Sequence, residues 1–218
     1  MTLRIVDCPS PGEMRPRWAA YAAILAARGS RWSDGCWATP DVWHYDDGGG
    51  NWADLVFADA SRAVLVGHDH EYSETYYREG AAYFGEPETD LLAGSPPWWG
   101  TTIAGHLGRQ RTDGMWIGFV YGFDDGGWRR ADYAVDDGFV SLNLPFRDTS
   151  ATVEAAADLI RHWCEEIRET PPTDLDDAVR TMIDSPVTEA TLHRALGPVV
   201  SHADVSGALI AAHRFARF

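Results

Sequence analysis

The chain has 218 residues, with 33 Asp and Glu against 18 basic residues, and its formal charge is -15; every basic residue is arginine. The missing lysine excludes the Walker A phosphate grip, Schiff-base catalysis including pyridoxal-phosphate chemistry, the kinase strand lysine and Ser-x-x-Lys acylation. The acidic excess argues against a nucleic-acid partner, because phosphate binding needs clustered positive charge.

Leu3–Val6 reads as a short strand. Arg15–Arg28 reads as a helix, with Trp18, Tyr21, Ala22 and Leu25 at helical spacing and Gly29 as its stop. Val42–Asp46, Asn51–Ala58 and Arg62–Tyr72 then form three predicted strands, joined by turns at Asp46-Asp47-Gly48-Gly49-Gly50 and Asp59-Ala60-Ser61. Ser73 is placed to cap a helix running to Phe84, and residues 85–114 read as irregular, with Trp98 and Trp99 in a loop flanked by Pro and Gly. The strand-and-turn layout recurs at Met115–Phe123, Trp128–Val135 and Phe139–Leu144, with turns at Asp124–Gly127 and Asp136–Gly138. From Ser150 onwards the pattern becomes helical. Val153, Ala156, Ala157, Ile160, Trp163, Cys164 and Ile167 make one apolar stripe, and Leu175, Ala178, Val179, Met182 and Ile183 make another. Thr188–Leu196 and Ser201–Phe218 are two further predicted helices.

The expected fold is therefore α+β. An antiparallel sheet of about six strands, built from two three-stranded meanders, is backed by helices and followed by a helical C-terminal portion. The expected division is 1–149 for the α+β domain and 150–218 for the helical portion, packed on the same core. With 45% hydrophobic and 12% aromatic residues the chain can build a full core. Cys8, Cys36 and Cys164 are an odd, widely spaced set that reads as reduced thiols. No segment has the length of apolar sequence a membrane span needs. Met1–Arg17 carries Asp7, Glu13 and three prolines where a signal peptide would be apolar. These features predict a cytoplasmic protein with no membrane contact.

His68-Asp69-His70-Glu71 is the one local cluster with metal-ligand character. On a strand His68 and His70 share a face, a half-site for zinc or iron, with His44 and His106 as candidates for a third ligand. With Glu74 they spell H-x-H-x-x-x-E, which is similar to the first half of the cupin metal motif; no P-x-G-x-x-H segment follows, and the cupin reading is not adopted. Hydrogen bonding to neighbouring carboxylates is the simpler reading of the pair. Asp46, Asp47, Asp124 and Asp125 read as turn formers, since the EF-hand spacing is absent. The sequence has neither a G-x-S-x-G elbow nor a G-x-G-x-x-G fingerprint.

The charge is uneven. Residues 34–100 hold thirteen acids against Arg62 and Arg78, a net of -11. This segment predicts a face that attracts a basic protein partner, with Asp46, Asp47 and Glu71 as its charges and Trp98 and Trp99 as its aromatic anchors. The reading this favours is an interaction protein without a cofactor, in concrete form a toxin-neutralising immunity protein. The alternative is a metal-dependent hydrolase or oxygenase that acts on a small molecule through His68 and His70. The basic tail Ala211–Phe218 is expected to close the domain.

Overall fold

The computed structural model describes residues 2–113 and 115–215, apart from the side chains of Ser30, Arg111 and Asp113. In chain order the first elements are β1 (Arg4–Val6), α1 (Pro11–Ala27), α2 (Ser30–Ser33), β2 (Cys36–Ala38), β3 (Val42–Asp46), β4 (Trp52–Phe57) and β5 (Ala63–His68). Next come α3 (Glu79–Phe84), α4 (Pro97–Thr102), α5 (Ala104–Asp113), β6 (Phe119–Asp124) and β7 (Gly127–Arg130). The chain finishes with α6 (Thr149–Glu166), α7 (Leu175–Asp184), α8 (Glu189–Leu196), a 3-10 turn (Gly197–His202) and α9 (Val205–Arg214). The α+β class and the helical C-terminal portion are as the sequence predicts. No helix among the described residues is long and apolar enough to cross a membrane.

Two compact units divide the chain, and the division does not fall at residue 149. The first holds residues 1–10 and 41–143, the second 11–40 and 144–218. The reason lies in α1. Its turns from Trp18 to Ala27 bury almost every position, so no polar face is left for solvent. Such a helix must be surrounded by others. It packs against α6, α7 and α9. Trp18 stacks on Phe146 at 3.6 Å, and Arg17 donates to the Arg147 carbonyl at 3.0 Å. The α6 and α7 stripes are buried as their spacing predicts, except that Ile167 falls at the C-cap of α6 and is only half-buried. Asp148 takes the N-cap of α6 in place of Ser150, accepting the Ala151 N–H at 2.8 Å. The predicted helix Ser201–Phe218 begins at Val205, and residues 216–218 lie outside the described residues.

In the first unit six strands lie in the order β1-β7-β6-β5-β4-β3, each antiparallel to its neighbours. The first meander is β3-β4-β5. The second stops at a hairpin, β6-β7, because 139–142 turns and 143–144 is irregular, and β1 supplies the strand beside β7. Phe139, Leu142 and Leu144 are nevertheless buried, so that stretch is apolar for packing and not for pairing.

The predicted helix from Ser73 also shortens, to Glu79–Phe84. The Ser73 hydroxyl does not cap it; it accepts the Asp69 N–H at 3.0 Å and donates to the Asp137 carbonyl at 2.9 Å. The Glu74 N–H goes to the Asp136 carbonyl at 2.8 Å, so this stretch is tied to the 136–138 turn and not to a helix. Gly138 permits the approach. Its φ is +79°, and a Cβ there would lie 2.6 Å from Asp69 Cβ. Residues 97–113, expected to be irregular, form α4 and α5 instead. Pro96 and Pro97 open α4, where a missing N–H costs nothing.

Candidate functional site

Strand pairing in the first unit places several expected site residues at one end of the sheet. Asp46 and His68 both pair with Trp52, so the end of β3, the start of β4 and the end of β5 coincide. Asp46 and Asp47 act as turn formers: Asp46 Oδ1 accepts the Gly48 N–H at 2.6 Å and Asp47 Oδ1 the Gly49 N–H at 2.7 Å. Asn51, held by Asp47 Oδ2 at 2.8 Å, accepts the His70 N–H at 2.7 Å and ties this turn to the loop after β5. Glu71 is exposed in that loop, its N–H bonded to Asp69 Oδ1 at 2.9 Å.

His68 ends β5 and is half-buried, while His70 lies beyond the strand and is exposed. Burial, and secondarily the charge of nearby His70, push the His68 imidazole down to about 4, against an opposing pull from Asp69. It is therefore neutral at physiological pH, and its buried Nδ1 has no hydrogen-bond partner among the described residues. Glu74 is exposed on the irregular stretch before α3, not in a helix. No group of three or more His, Cys, Asp or Glu side chains among the described residues is placed to hold a metal ion.

Trp98 and Trp99 are not loop residues. Both lie on α4, and they diverge. Trp99 is 1% exposed and packs with Val64, Val66, Ile103 and Val120, so it is a core side chain and cannot meet a partner. Trp98 is half-buried and lies under the Arg62 guanidinium at 5.2 Å. Arg62 precedes Ala63 at the other end of β5, so Trp98 stands away from Asp46, Asp47 and Glu71.

His44 and His106, the candidate third ligands for the His68–His70 pair, meet instead at a buried carboxylate that the sequence does not single out. Asp54, in the middle of β4, is 2% exposed. It accepts from His44 Nδ1 across the β3–β4 pair at 2.5 Å and from His106 Nε2 of α5 at 2.6 Å, and Arg109 Nη2 stands 3.3 Å away. Burial alone would raise this carboxyl. The hydrogen bonds from His106 and His44 outweigh it and hold Asp54 down at about 2. His106 also stacks on Trp52, with centroids 6.1 Å apart. The carboxylate thus fastens β3 and α5 to β4.

A second closed network surrounds Asp137. Tyr121 and Tyr133 donate to its Oδ2 at 2.6 and 2.8 Å, with Arg130 Nε at 4.0 Å. Burial and the Asp137 charge push both phenols up, so they remain protonated donors.

Among the described residues the most exposed aromatic side chain, Tyr83, lies on α3 beside exposed Phe84. Tyr83 is 72% and Phe84 50% exposed. Their rings meet at 5.0 Å, and Trp116 lies 5.0 Å from Tyr83 and 5.3 Å from Phe84. Tyr76 adds a ring 5.5 Å from Phe84. Gly80 lets the indole reach α3, since a Cβ there would sit 3.3 Å from Trp116 Cε3. Two adjacent aromatics at the end of a short helix were the signal in the sequence. No protein-family model, curated protein or solved structure matches the chain.

Proposed function

We propose that this is an acidic interaction protein whose first unit docks on a basic protein partner. The observation that carries the reading is the concentration of charge. Residues 41–143 hold eighteen acids against six arginines, and residues 1–10 are neutral, so this unit holds -12 of the total -15. Five of its seven arginines are already held by its own carboxylates, Asp132, Asp59, Asp54, Asp124 and Asp137. What remains is a strongly negative field, which steers a basic protein into contact and repels an acidic one. In its concrete form the protein neutralises a basic toxin by covering its working surface.

The test begins with the untagged protein and a partner recovered from its native lysate, purified and remixed. The expected partner is basic, and its association rate falls about ten-fold or more between 50 and 300 mM NaCl, as electrostatic steering requires. An acidic partner, or a rate indifferent to salt, would sink the proposal. So would stoichiometric zinc or iron that disappears in His68→Ala, which would instead support the metal-dependent enzyme.

A further inference from the structure

We infer that the Tyr83–Phe84–Trp116 face is where the basic partner docks, and that it receives an arginine-bearing segment. The inference rests on the proposed function and adds to it a surface and a side-chain chemistry. Three observations support it. First, two neighbouring aromatic side chains at 72% and 50% exposure are costly to leave in water, and they are joined to Trp116 in one continuous face. Aromatic anchors of this kind dominate binding energy at protein interfaces.

Second, the surrounding charge selects the visitor. Glu79 lies on α3 itself, and exposed Glu86 and Glu88 follow it directly. Arg78, just before α3, is turned elsewhere, its guanidinium lying over the Tyr77 ring at 4.8 Å. An apolar face with an acidic margin fits a partner carrying both charge and flat apolar surface. A guanidinium has that combination: it stacks on aromatic faces while its edge donates to carboxylates, whereas an ammonium is a compact, strongly hydrated point charge.

Third, the protein treats other rings in the same way. Arg28 covers Trp32 at 3.9 Å, Arg130 covers Tyr133 at 4.1 Å and Arg62 covers Trp98 at 5.2 Å. Among the described side chains no arginine covers Tyr83, Phe84 or Trp116. A partner's arginine would complete on this face the stacking that the chain's own arginines supply elsewhere.

The probe is a twelve-residue peptide of alternating Arg and Leu, with Lys-Leu and Glu-Leu peptides of the same length beside it. Binding is followed by calorimetry and by the indole N–H resonances of the full-length protein. The expected result is tightest binding of the Arg-Leu peptide, a shift of the Trp116 indole resonance, and at least a ten-fold loss of affinity in Tyr83→Ser/Phe84→Ser with an unchanged melting temperature. If the double variant melts early, Tyr83→Ser alone, at the most exposed ring, is expected to weaken binding several-fold. Salt-sensitive peptide binding that survives both variants would overturn this surface and leave the basic-partner reading standing. Equal affinity for the Arg and Lys peptides would overturn the arginine stacking. Self-association of the wild type that the variant abolishes would give the face to a second copy and overturn the inference. No binding of either cationic peptide would count against the basic-partner reading itself.

Discussion

Asp54→Ala is expected to lower the unfolding free energy by about 3–5 kcal/mol at pH 7, the range for removing one member of a buried ion pair. The loss is large because the carboxylate has no substitute. It accepts from His44 and His106 at once and faces Arg109, so its removal strands two largely buried imidazoles and frees both β3 and α5 from β4. The wild type carries a pH signature of the same group. Asp54 is held at about 2 in the fold, below the value of about 3.9 it takes when unfolded. The folded state therefore binds fewer protons, and the stabilisation is complete above about pH 4 and lost as the pH falls through about 2. That contribution is about 2–3 kcal/mol. Urea denaturation at pH 7, 4 and 2 would show the gap between wild type and Asp54→Ala narrowing at the acid end. A gap independent of pH would mean that the ionised carboxylate is not its source. Asp54→Asn, which keeps an acceptor and loses the charge, is expected to fall between the two.

The contrast between Asp54 and the α6 stripe marks where local pattern suffices. Val153, Ala156, Ala157, Ile160, Trp163 and Cys164 are all buried because helical spacing puts them on one face, a property contained in eighteen consecutive residues. The same is true of the turn aspartates, whose partners lie two to four residues away. Asp54 was visible only as an acid inside the otherwise apolar run Trp52–Phe57. Its partners are 10 and 52 residues away and meet it through strand pairing and the docking of α5. The second meander shows the same limit. Phe139–Leu144 is apolar enough for a strand, yet β1, more than a hundred residues earlier, takes the place beside β7. Local propensity describes what a segment tolerates, and competition among segments decides what pairs.

Trp98 and Trp99 make that limit measurable, because the loop reading would have their joint replacement by alanine leave stability nearly intact. The structure leads to a different expectation. Trp99→Ala should cost about 3–5 kcal/mol, the usual penalty for emptying a buried aromatic site, while Trp98→Ala, at a half-buried ring, should cost markedly less. The sharper variant is Gly122→Ala. Gly122 sits inside β6 opposite Val64, and a Cβ there would lie 1.9 Å from Trp99 Cε2 and 2.3 Å from Nε1. A flexible side chain could swing aside, but an indole 1% exposed among Val64, Val66, Ile103 and Val120 cannot. Either the ring leaves its site or β6 separates from α4. The cost of such overpacking is about 3 kcal/mol, at the upper end of its usual range. Its Nε1 has no acceptor among the described residues, so shape and apolar burial, not a polar anchor, hold the ring in place. The two positions must then be coupled: in Trp99→Ala the added methyl at Gly122 meets empty space and becomes nearly neutral. A double-mutant cycle by chemical denaturation reads that coupling directly, with near-ultraviolet circular dichroism reporting the order of the aromatic core. Additive losses would show that Gly122 and Trp99 do not share a site.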